Sequence, residues 1–411
     1  MKLAIPKERH PGENRVAASA DTVKKLVGLG FQVAVEKGAG IESAVSDAAY
    51  KDAGASIAAS GAAVLKGADV VFKVQRPTAA EIKAMKKGAM VVAIMAPHND
   101  PATVTACARA GLTTVAMELM PRITRAQSMD VLSSQSNLAG YRAVIDAAAS
   151  FARAFPMMMT AAGTVAPAKA FVMGAGVAGL QAIATAKRLG AIVSATDVRR
   201  AAAEQVQSLG GKFIMVETEA DMETEGGYAR ELTADDQAKQ AALVAEHIKG
   251  QDIVITTALI PGRPAPRLIS KAMVQSMKPG SVLVDLAVEQ GGNVEGAKAD
   301  ETVDVGGVKI IGFSNMAGRV SVDASALYSR NLLNFIQPLV DGEASPMRLK
   351  LDWDDEILKA VVLTRHGDVV YADLPKPPAA KKAPTKKSSA KKAPAKKAPA
   401  AKKAPAQDSD K

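Results

Sequence analysis

The chain is short of the residues that would place it in several large protein classes. It has one cysteine, Cys107, among 411 residues, so no intrachain disulfide can form and a disulfide-held secreted fold is excluded. Its four histidines, His10, His98, His247 and His366, are scattered, and with one cysteine they offer no metal-ligand spacing; we expect no metal. Long apolar runs are also missing. The best stretch, 143–173, is interrupted by Asp146, Arg153, Pro156 and Lys169 and falls short of the roughly 20 apolar residues a membrane helix needs. The opening MKLAIPKERH lacks the apolar centre of a secretory signal, and the expectation is a soluble cytoplasmic protein. Aromatics amount to 3% of the chain, so the cores must be built from Ala, Val, Ile, Leu and Met, which the 48% hydrophobic content readily supplies. The length suffices for two core-bearing domains.

An excess of charge of either sign is absent from most of the chain. The net +10 resides entirely in residues 376–411, which hold twelve lysines and two aspartates, leaving 1–375 formally neutral. This tail repeats a KKAP unit and is too polar and too charged to fold, so 373–411 reads as a disordered basic extension. It could act as a spacer, attach to an anionic membrane surface, or contact nucleic acid non-specifically, without an aromatic residue to stack on a base.

What is present is led by residues 170–197, AFVMGAGVAGLQAIATAKRLGAIVSATD, a strand–turn–helix–strand unit ending on a carboxylate. In its glycine turn, Gly174-Ala175-Gly176-Val177-Ala178-Gly179, Gly174 permits the tight turn, Gly176 lets the backbone approach a pyrophosphate, and Gly179 lets helix and strand pack closely. The pyrophosphate would sit on the free N–H groups at the helix start. Asp197, eighteen residues after Gly179, is placed to accept hydrogen bonds from the adenosine ribose, favouring NAD over NADP.

Around this unit, strand and helix patterns alternate, which argues an α/β fold with parallel sheets. Strands are expected at 3–5, 32–35, 70–74, 90–95 and 112–117, with helices over 20–29 and 101–110. A helix over about 135–155 would lead into the dinucleotide-binding part, whose further strands lie at 213–216, 253–256, 282–285 and 309–311. A helical pattern over 320–339 then returns to the first part. The expectation is two Rossmann-like domains, 1–135 (completed by 320–372) and 136–319, with a cleft between them as the natural site. The acidic stretch 217–231, centred on Gly226-Gly227-Tyr228, is long for a connection and reads as a lid.

The polar stretch 122–133 carries Arg122, Arg125, Gln127, Asp130 and Ser133. Gln and Ser bond amides and hydroxyls without titrating, and an Arg–Asp pair can order a loop, so this is equipment for positioning with no evident proton shuttle. The same residues are also explained by a helix N-cap and a surface ion pair.

These stretches, PRITRAQSMDVLSSQSNLAGYRAV at 121–144, the glycine unit, GGYA at 226–229, ALIPGRPAPRLI at 258–269, DLAVEQGGN at 285–293 and SNMAGRV at 314–320, resemble the NAD(H)-binding alpha component of proton-translocating NAD(P) transhydrogenase over about residues 1–372. The resemblance implies that the chain binds NAD(H) and exchanges hydride directly with NADP(H) on a beta subunit, while membrane-spanning partners, including a separate alpha component, couple the reaction to proton translocation. It implies that Arg122, Gln127, Asp130 and Ser133 hold the nicotinamide end, that Tyr228 closes the mobile loop over it, and that the chain is a homodimer peripheral to the inner membrane. Some alpha subunits continue into membrane helices; this chain carries the lysine tail, which is not part of the family pattern, and resembles the split arrangement.

Alanine dehydrogenase, a relative, is the alternative. Arg15 in GENRVA and Lys73 in FKVQRP match positions that in that relative bind the substrate carboxylate and assist catalysis. Against it, His98 is displaced from the position of the relative's catalytic histidine, and Glu289 stands where the relative has an active-site Asp. In the transhydrogenase reading, Arg15 and Lys73 become structural or cleft-facing charges. A third possibility is a non-enzymatic, NAD-responsive binder of nucleic acid acting through the tail.

Overall fold

The computed structural model describes residues 1–215, 234–260, 262–342, 344, 346–374 and 400. The first strands follow the apolar runs closely: β1 (Lys2–Ile5), β2 (Gln32–Glu36), β3 (Ser56–Ala58), β4 (Val70–Gln75), β5 (Met90–Ile94) and β6 (Thr113–Ala116). An exposed hairpin of β7 (Met158–Thr160) and β8 (Gly163–Val165) comes next. The second set is β9 (Lys169–Met173), β10 (Ile192–Thr196), β11 (Lys212–Phe213), β12 (Ile253–Thr256), β13 (Val282–Asp285), β14 (Thr302–Val305) and β15 (Val308–Ile311). A short ribbon, β16 (Val340–Asp341) with β17 (Arg348–Leu349), precedes β18 (Val362–Arg365) and β19 (Asp368–Val369).

Two sheets result, and both repeat one strand order. The first runs β3-β2-β1-β4-β5-β6-β18-β19 and the second β11-β10-β9-β12-β13-β15-β14. Each therefore begins 3-2-1-4-5 in its own chain order, the arrangement of a dinucleotide-binding fold. Pairing is parallel except at the edges: β18 and β19 run antiparallel in the first sheet, and β14 runs antiparallel to β15 in the second.

The periodicities that make these elements also sort their faces. In β9, Ala170 and Val172 pack with Ala143, Val144 and Ala147, while Phe171 and Met173 pack with Val244 and Ile248 on the opposite side. The helices of the first sheet are α1 (Ala20–Gly28), α2 (Asp47–Asp52), α3 (Gly61–Leu65), α4 (Ala79–Ala84) and α5 (Pro101–Arg109). Then come α6 (Val131–Ser150), α7 (Val177–Arg188), α8 (Ala202–Ser208), α9 (Ala234–Ile248), α10 (Lys271–Ser276), α11 (Ser321–Ile336) and α12 (Glu356–Val361). α11 buries Tyr328, Leu332, Phe335 and Ile336 in the core that also holds Leu3, Ile5 and Phe72 of the first sheet. Tyr371 and Leu374, at the end of the described body, pack against the other face of that sheet.

Several boundaries differ from the sequence expectation, each for a local reason. α6 starts at Val131 rather than 135, because the Asp130 carboxylate accepts the Ser133 N–H (3.0 Å) and caps the helix a turn earlier. It stops at Ser150, where Phe151 turns extended and buries its ring near Phe155. The long pattern at 320–339 is α11 followed by a 3-10 turn at Gln337–Leu339, since Pro338 cannot continue an α-helix. Of the strand expected at 213–216, the described part pairs with β10 only at Lys212 and Phe213; Val216 and the acidic stretch 217–231, with Tyr228, lie outside the described residues, as does nearly all of the basic tail. β3, β14, β18 and β19 are short strands of two to four residues at or next to a sheet edge, outside the strands expected from the sequence. No described helix is long and apolar enough to cross a membrane.

Candidate active site

The carboxyl ends of both sheets face one cleft. His10 to Glu13 follow β1 and Gln75 and Arg76 end β4; opposite them stand Glu289 after β13 and Ser314 and Asn315 after β15, around a cavity of about 320 Å³. Asn315, held at φ 45° as the cap of a 3-10 turn, spans the cleft: its Nδ2 donates to the Gly12 carbonyl (3.1 Å) and to Glu13 Oε2 (3.2 Å).

In the second sheet the strand order reverses between β9 and β12, and there the glycine turn sits. Gly174 has φ 99°, and a Cβ on it would come within 2.5 Å of Thr257 Oγ1, the hydroxyl that donates to the Gly174 carbonyl at 3.1 Å. A Cβ on Gly179 would lie 1.8 Å from the same carbonyl, so α7 can approach β9 only with glycine there. Gly176 differs in kind: a Cβ on it would meet nothing within 4 Å. That space is open, and Gly176 caps α7 without a side-chain hydrogen bond, leaving the first-turn N–H groups available to an anion. Ala175 is buried and Val177 half-exposed on either side. The Ala175 N–H donates to Asp197 Oδ2 at 2.7 Å, so the carboxylate ending β10 is tied to the turn itself. Asp197 also accepts the Arg199 backbone N–H (2.8 Å) and its guanidinium (3.0 Å to each oxygen).

The turn after β12 is fixed by a residue that the sequence did not single out. Asn293, fully buried, accepts the Ala258 N–H (3.1 Å) and donates to the carbonyls of Ala258 (2.9 Å) and Pro266 (2.8 Å), stapling the 258–266 segment to the 285–293 segment.

The polar stretch at 122–133 begins α6. Gln127 lies exposed in a 3-10 turn over Thr124–Met129, and Arg122 is exposed just before it. Asp130 and Ser133 are together: besides the cap, the Ser133 hydroxyl donates to Asp130 Oδ2. Arg125 forms ion pairs with Asp355 (2.8 Å) and Glu356 (3.2 Å) at the surface. The cap and the surface ion pair are thus both present, while Gln127 and Arg122 present their side chains outward. α6 then crosses α7 so closely that a Cβ on Gly140 would lie 2.0 Å from the Ala178 carbonyl. Asn137 donates to Gln181 across the same contact at 3.3 Å. One rigid helix therefore joins the 122–133 segment to the glycine turn.

The two cations shared with the alanine dehydrogenase pattern are enclosed by acids. Arg15 is buried against Glu13, with its Nη2 2.6 Å and Nε 2.8 Å from the two carboxylate oxygens, and its Nη1 donates to Gln135 (2.8 Å). The Arg15 hydrogen bonds and charge hold the Glu13 carboxyl below the usual range against the opposing pull of burial. Lys73 has no exposure and lies between Glu8 (3.1 Å) and Glu81 (3.0 Å). Glu8 also accepts the Val74 N–H at 2.6 Å, so it fills the point between β1 and β4 where the first sheet reverses order. Burial raises the Glu8 carboxyl, opposed by Lys73. Glu13 and Glu8, two and seven residues before Arg15, were legible as nearby acids but not as partners.

His98 faces the second sheet's loop, within 3.3 Å of where a Cβ on Gly262 would be, and its Nε2 lies 3.2 Å from the Tyr371 hydroxyl. Glu289 is exposed, and its Oε1 accepts the Asn315 N–H at 3.3 Å. Burial pushes Glu118 up to about 7, but its carboxylate is engaged by the N–H groups of Met95 (2.9 Å) and Ala96, closing a backbone turn. Among the described residues no group of three or more His, Cys, Asp or Glu side chains is arranged to hold a metal ion.

Comparisons with known proteins agree with this geometry. Residues 4–139 match the family model "Alanine dehydrogenase/PNT, N-terminal domain" and residues 143–372 match "Alanine dehydrogenase/PNT, C-terminal domain". The chain is 56% identical over 381 residues to a protein of Rhodospirillum rubrum named as the first part of the NAD(P) transhydrogenase subunit alpha, covering 91% of this chain and 99% of that one. Among solved structures it is similar to the transhydrogenase from Sinorhizobium meliloti, with TM-score 0.82, 59% identity, and coverage of 90% of this chain and all of that one. It is also similar to an L-alanine dehydrogenase, with TM-score 0.76, 26% identity, and coverage of 91% and 98%. The chain therefore belongs to the alanine dehydrogenase/PNT family, on its NAD(P) transhydrogenase alpha-subunit branch.

Proposed function

We propose that the chain is the NAD(H)-binding half of a proton-translocating NAD(P) transhydrogenase. NAD(H) binds with its pyrophosphate on the open first turn of α7 and its adenosine ribose toward Asp197. Gln127, Arg122, Asp130 and Ser133 position the nicotinamide, and Tyr228 closes over it. Hydride then passes directly to or from NADP(H) held by a beta subunit, and membrane-spanning partners couple that exchange to proton movement. The nicotinamide supplies the hydride chemistry; the residues here bind, orient and exclude water.

The observation that carries this reading is the pairing of a glycine turn that is open at Gly176 and uncapped by any side chain with a 122–133 segment that holds amide, hydroxyl and carboxylate groups and no histidine or lysine. An alcohol or amine that gives up hydride must also lose a proton and needs a proton carrier beside it; a second nicotinamide does not. An amino-acid substrate is further disfavoured because Arg15 and Lys73, the cations that would clamp its carboxylate, are neutralised by Glu13, Glu8 and Glu81. Domain limits at about 135 and 319 follow from the same reading. The exposed Met157, Met158 and Met159 at the β7–β8 hairpin suit burial against a second copy, in keeping with a homodimer attached to the membrane through its partners.

The test is to purify the chain and measure NADH binding, alanine-dependent NAD reduction, and transhydrogenation with and without an NADP(H)-binding partner. Binding of NADH, no reaction with alanine, and transhydrogenation only in the mixture are expected. NAD reduction driven by alanine and the chain alone would overturn the reading.

A further inference from the structure

The order of the second sheet reverses between β9 and β12, and a dinucleotide laid across that crevice puts its adenosine half toward β10 and its nicotinamide half toward β12 and β13. The nicotinamide half is then walled by the segments that follow those two strands, 257–267 and 286–294. The first of these is poorly equipped to hold its own shape. It contains Pro261, Pro264 and Pro266, which have no N–H to donate; within it the Arg263 N–H bonds the Ile260 carbonyl at 3.2 Å. It is held from the second segment instead: the Ala265 N–H donates to the Gln290 carbonyl (2.8 Å), and the Arg267 guanidinium to the carbonyls of Val294 (2.6 Å) and Gly291 (3.3 Å). The central tie is Asn293, which is fully buried. Its Oδ1 accepts the Ala258 N–H (3.1 Å), and both hydrogens of its Nδ2 are used, on the carbonyls of Ala258 (2.9 Å) and Pro266 (2.8 Å). Its own carbonyl accepts the N–H groups of Leu268 (2.8 Å) and Ile269 (3.0 Å).

We propose that Asn293 is a positioning residue for hydride transfer: by clamping Ala258 and Pro266 it sets where the 258–266 segment stands against the nicotinamide, and so the distance and angle at which that ring meets a second one. The proposal rests on the NAD(H) reading above. The residue just before the clamp does not depend on it. Thr257 is held by β9, its N–H donating to the Met173 carbonyl (2.9 Å), and its hydroxyl donates to the Gly174 carbonyl (3.1 Å), so the glycine turn keeps its place when Asn293 is lost. Binding of the pyrophosphate and adenosine is therefore separable from the setting of the nicotinamide. On its far side the segment is stopped by the first sheet's loop, since a Cβ on Gly262 would lie 3.3 Å from the His98 ring. Without the Asn293 amide, the Ala258 N–H and two carbonyls lose their partners, and the prolines offer no donors to replace it. A small shift suffices, because a misplacement of about 1 Å can cost roughly a hundred-fold in rate.

The experiment uses the full chain mixed with an NADP(H)-binding partner and compares the parent with Asn293→Ala and Asn293→Asp. Three quantities are read: the NADH dissociation constant, the hydride-transfer rate at saturating NADH, and the rate of tryptic cleavage after Arg267. Asn293→Ala should slow hydride transfer about ten-fold or more while NADH binding stays within about three-fold of the parent. It should also speed cleavage after Arg267 and leave cleavage elsewhere unchanged. Asn293→Asp adds a readout that a general loss of stability would not give. Its carboxyl would face two carbonyls in a buried place, which raises its pKa, and only the protonated acid has an O–H to donate to them. Relative to the parent, hydride transfer by Asn293→Asp should therefore recover as the pH falls, with no such recovery in Asn293→Ala. Should Asn293→Ala fail to fold, judged by circular dichroism, Asn293→Asp at low and high pH carries the same comparison. Equal losses in NADH binding and hydride transfer, no loss in either, unchanged cleavage after Arg267, or no recovery of Asn293→Asp at low pH would each overturn the role of Asn293. A parent that binds no NADH, or transfers no hydride in the mixture, would overturn the transhydrogenase reading itself. That result appears before any substitution, and the cleavage after Arg267 still decides whether Asn293 holds the segment.

Discussion

At the scale of single residues, the same side chains carry different meanings according to what neutralises them. Lys73, which the alanine dehydrogenase alternative would make catalytic, is a buried cation between two carboxylates, one of which also anchors the Val74 N–H. Removing it would strand two buried acids. Lys73→Ala should therefore lower stability by about 3–5 kcal/mol in denaturant unfolding, the usual cost of breaking a buried pair from one side; a loss below ~1 kcal/mol would show that the triad is not a structural unit. Gln127 is the opposite case, exposed and held only by its backbone. Gln127→Leu should slow hydride transfer in the reconstituted system far more than it weakens NADH binding, because only positioning is lost. Equal losses in both measurements would remove Gln127 from the nicotinamide site. The steric duties of Gly174 and Gly179 were legible because they are local. The partners Glu8, Glu13, Gln135 and Arg199 were not, because a pairing across the fold leaves no periodic trace in a sequence.

At the scale of elements, α6 is the part on which the site depends. Its N-terminus is the Asp130–Ser133 cap, and its middle lies against the first turn of α7 at Gly140. Gly140→Ala would place a methyl 2.0 Å from the Ala178 carbonyl, a backbone atom that cannot move without shifting α7. We expect a loss of about 1–3 kcal/mol and, more tellingly, weaker NADH binding, since the displaced turn is the one that would hold the pyrophosphate. Unchanged NADH affinity in a folded Gly140→Ala protein would show that α6 does not set the position of the glycine turn. Strands such as β12 and β13 could be read from apolar runs residue for residue, and α11 to within a turn at its end, whereas β3, β14, β18 and β19 could not. Those four are short strands at or next to a sheet edge whose place is set by the neighbour they pair with, and two to four residues of pairing leave too little pattern to read.

At the scale of the whole molecule, the sheet order was legible only as a class: strands alternating with helices imply a parallel sheet, but not that both sheets would share the same order. Charge is distributed on this scale too. The body is neutral and the last 36 residues carry the entire excess, so deleting 376–411 should leave transhydrogenation with partner subunits unchanged while abolishing salt-sensitive retention on anionic vesicles or DNA. A fall in hydride transfer on deletion would make the tail a component of the working site instead of an accessory.

The pairing of β18 with β6 has a consequence for how the chain is made. Val362 and Thr364 lie against Val115 and Thr114, and the Thr114 and Thr364 hydroxyls meet at 2.8 Å, so the last strands of the body close a sheet whose other strands lie in the first third of the chain. During synthesis β6 must wait, its edge unpaired, while the whole second sheet emerges and folds. An exposed parallel edge invites pairing with another nascent chain. A message that stops between β6 and Val362 would thus yield a sticky fragment rather than a smaller nucleotide-binding protein, with the open edge at Thr113–Ala116.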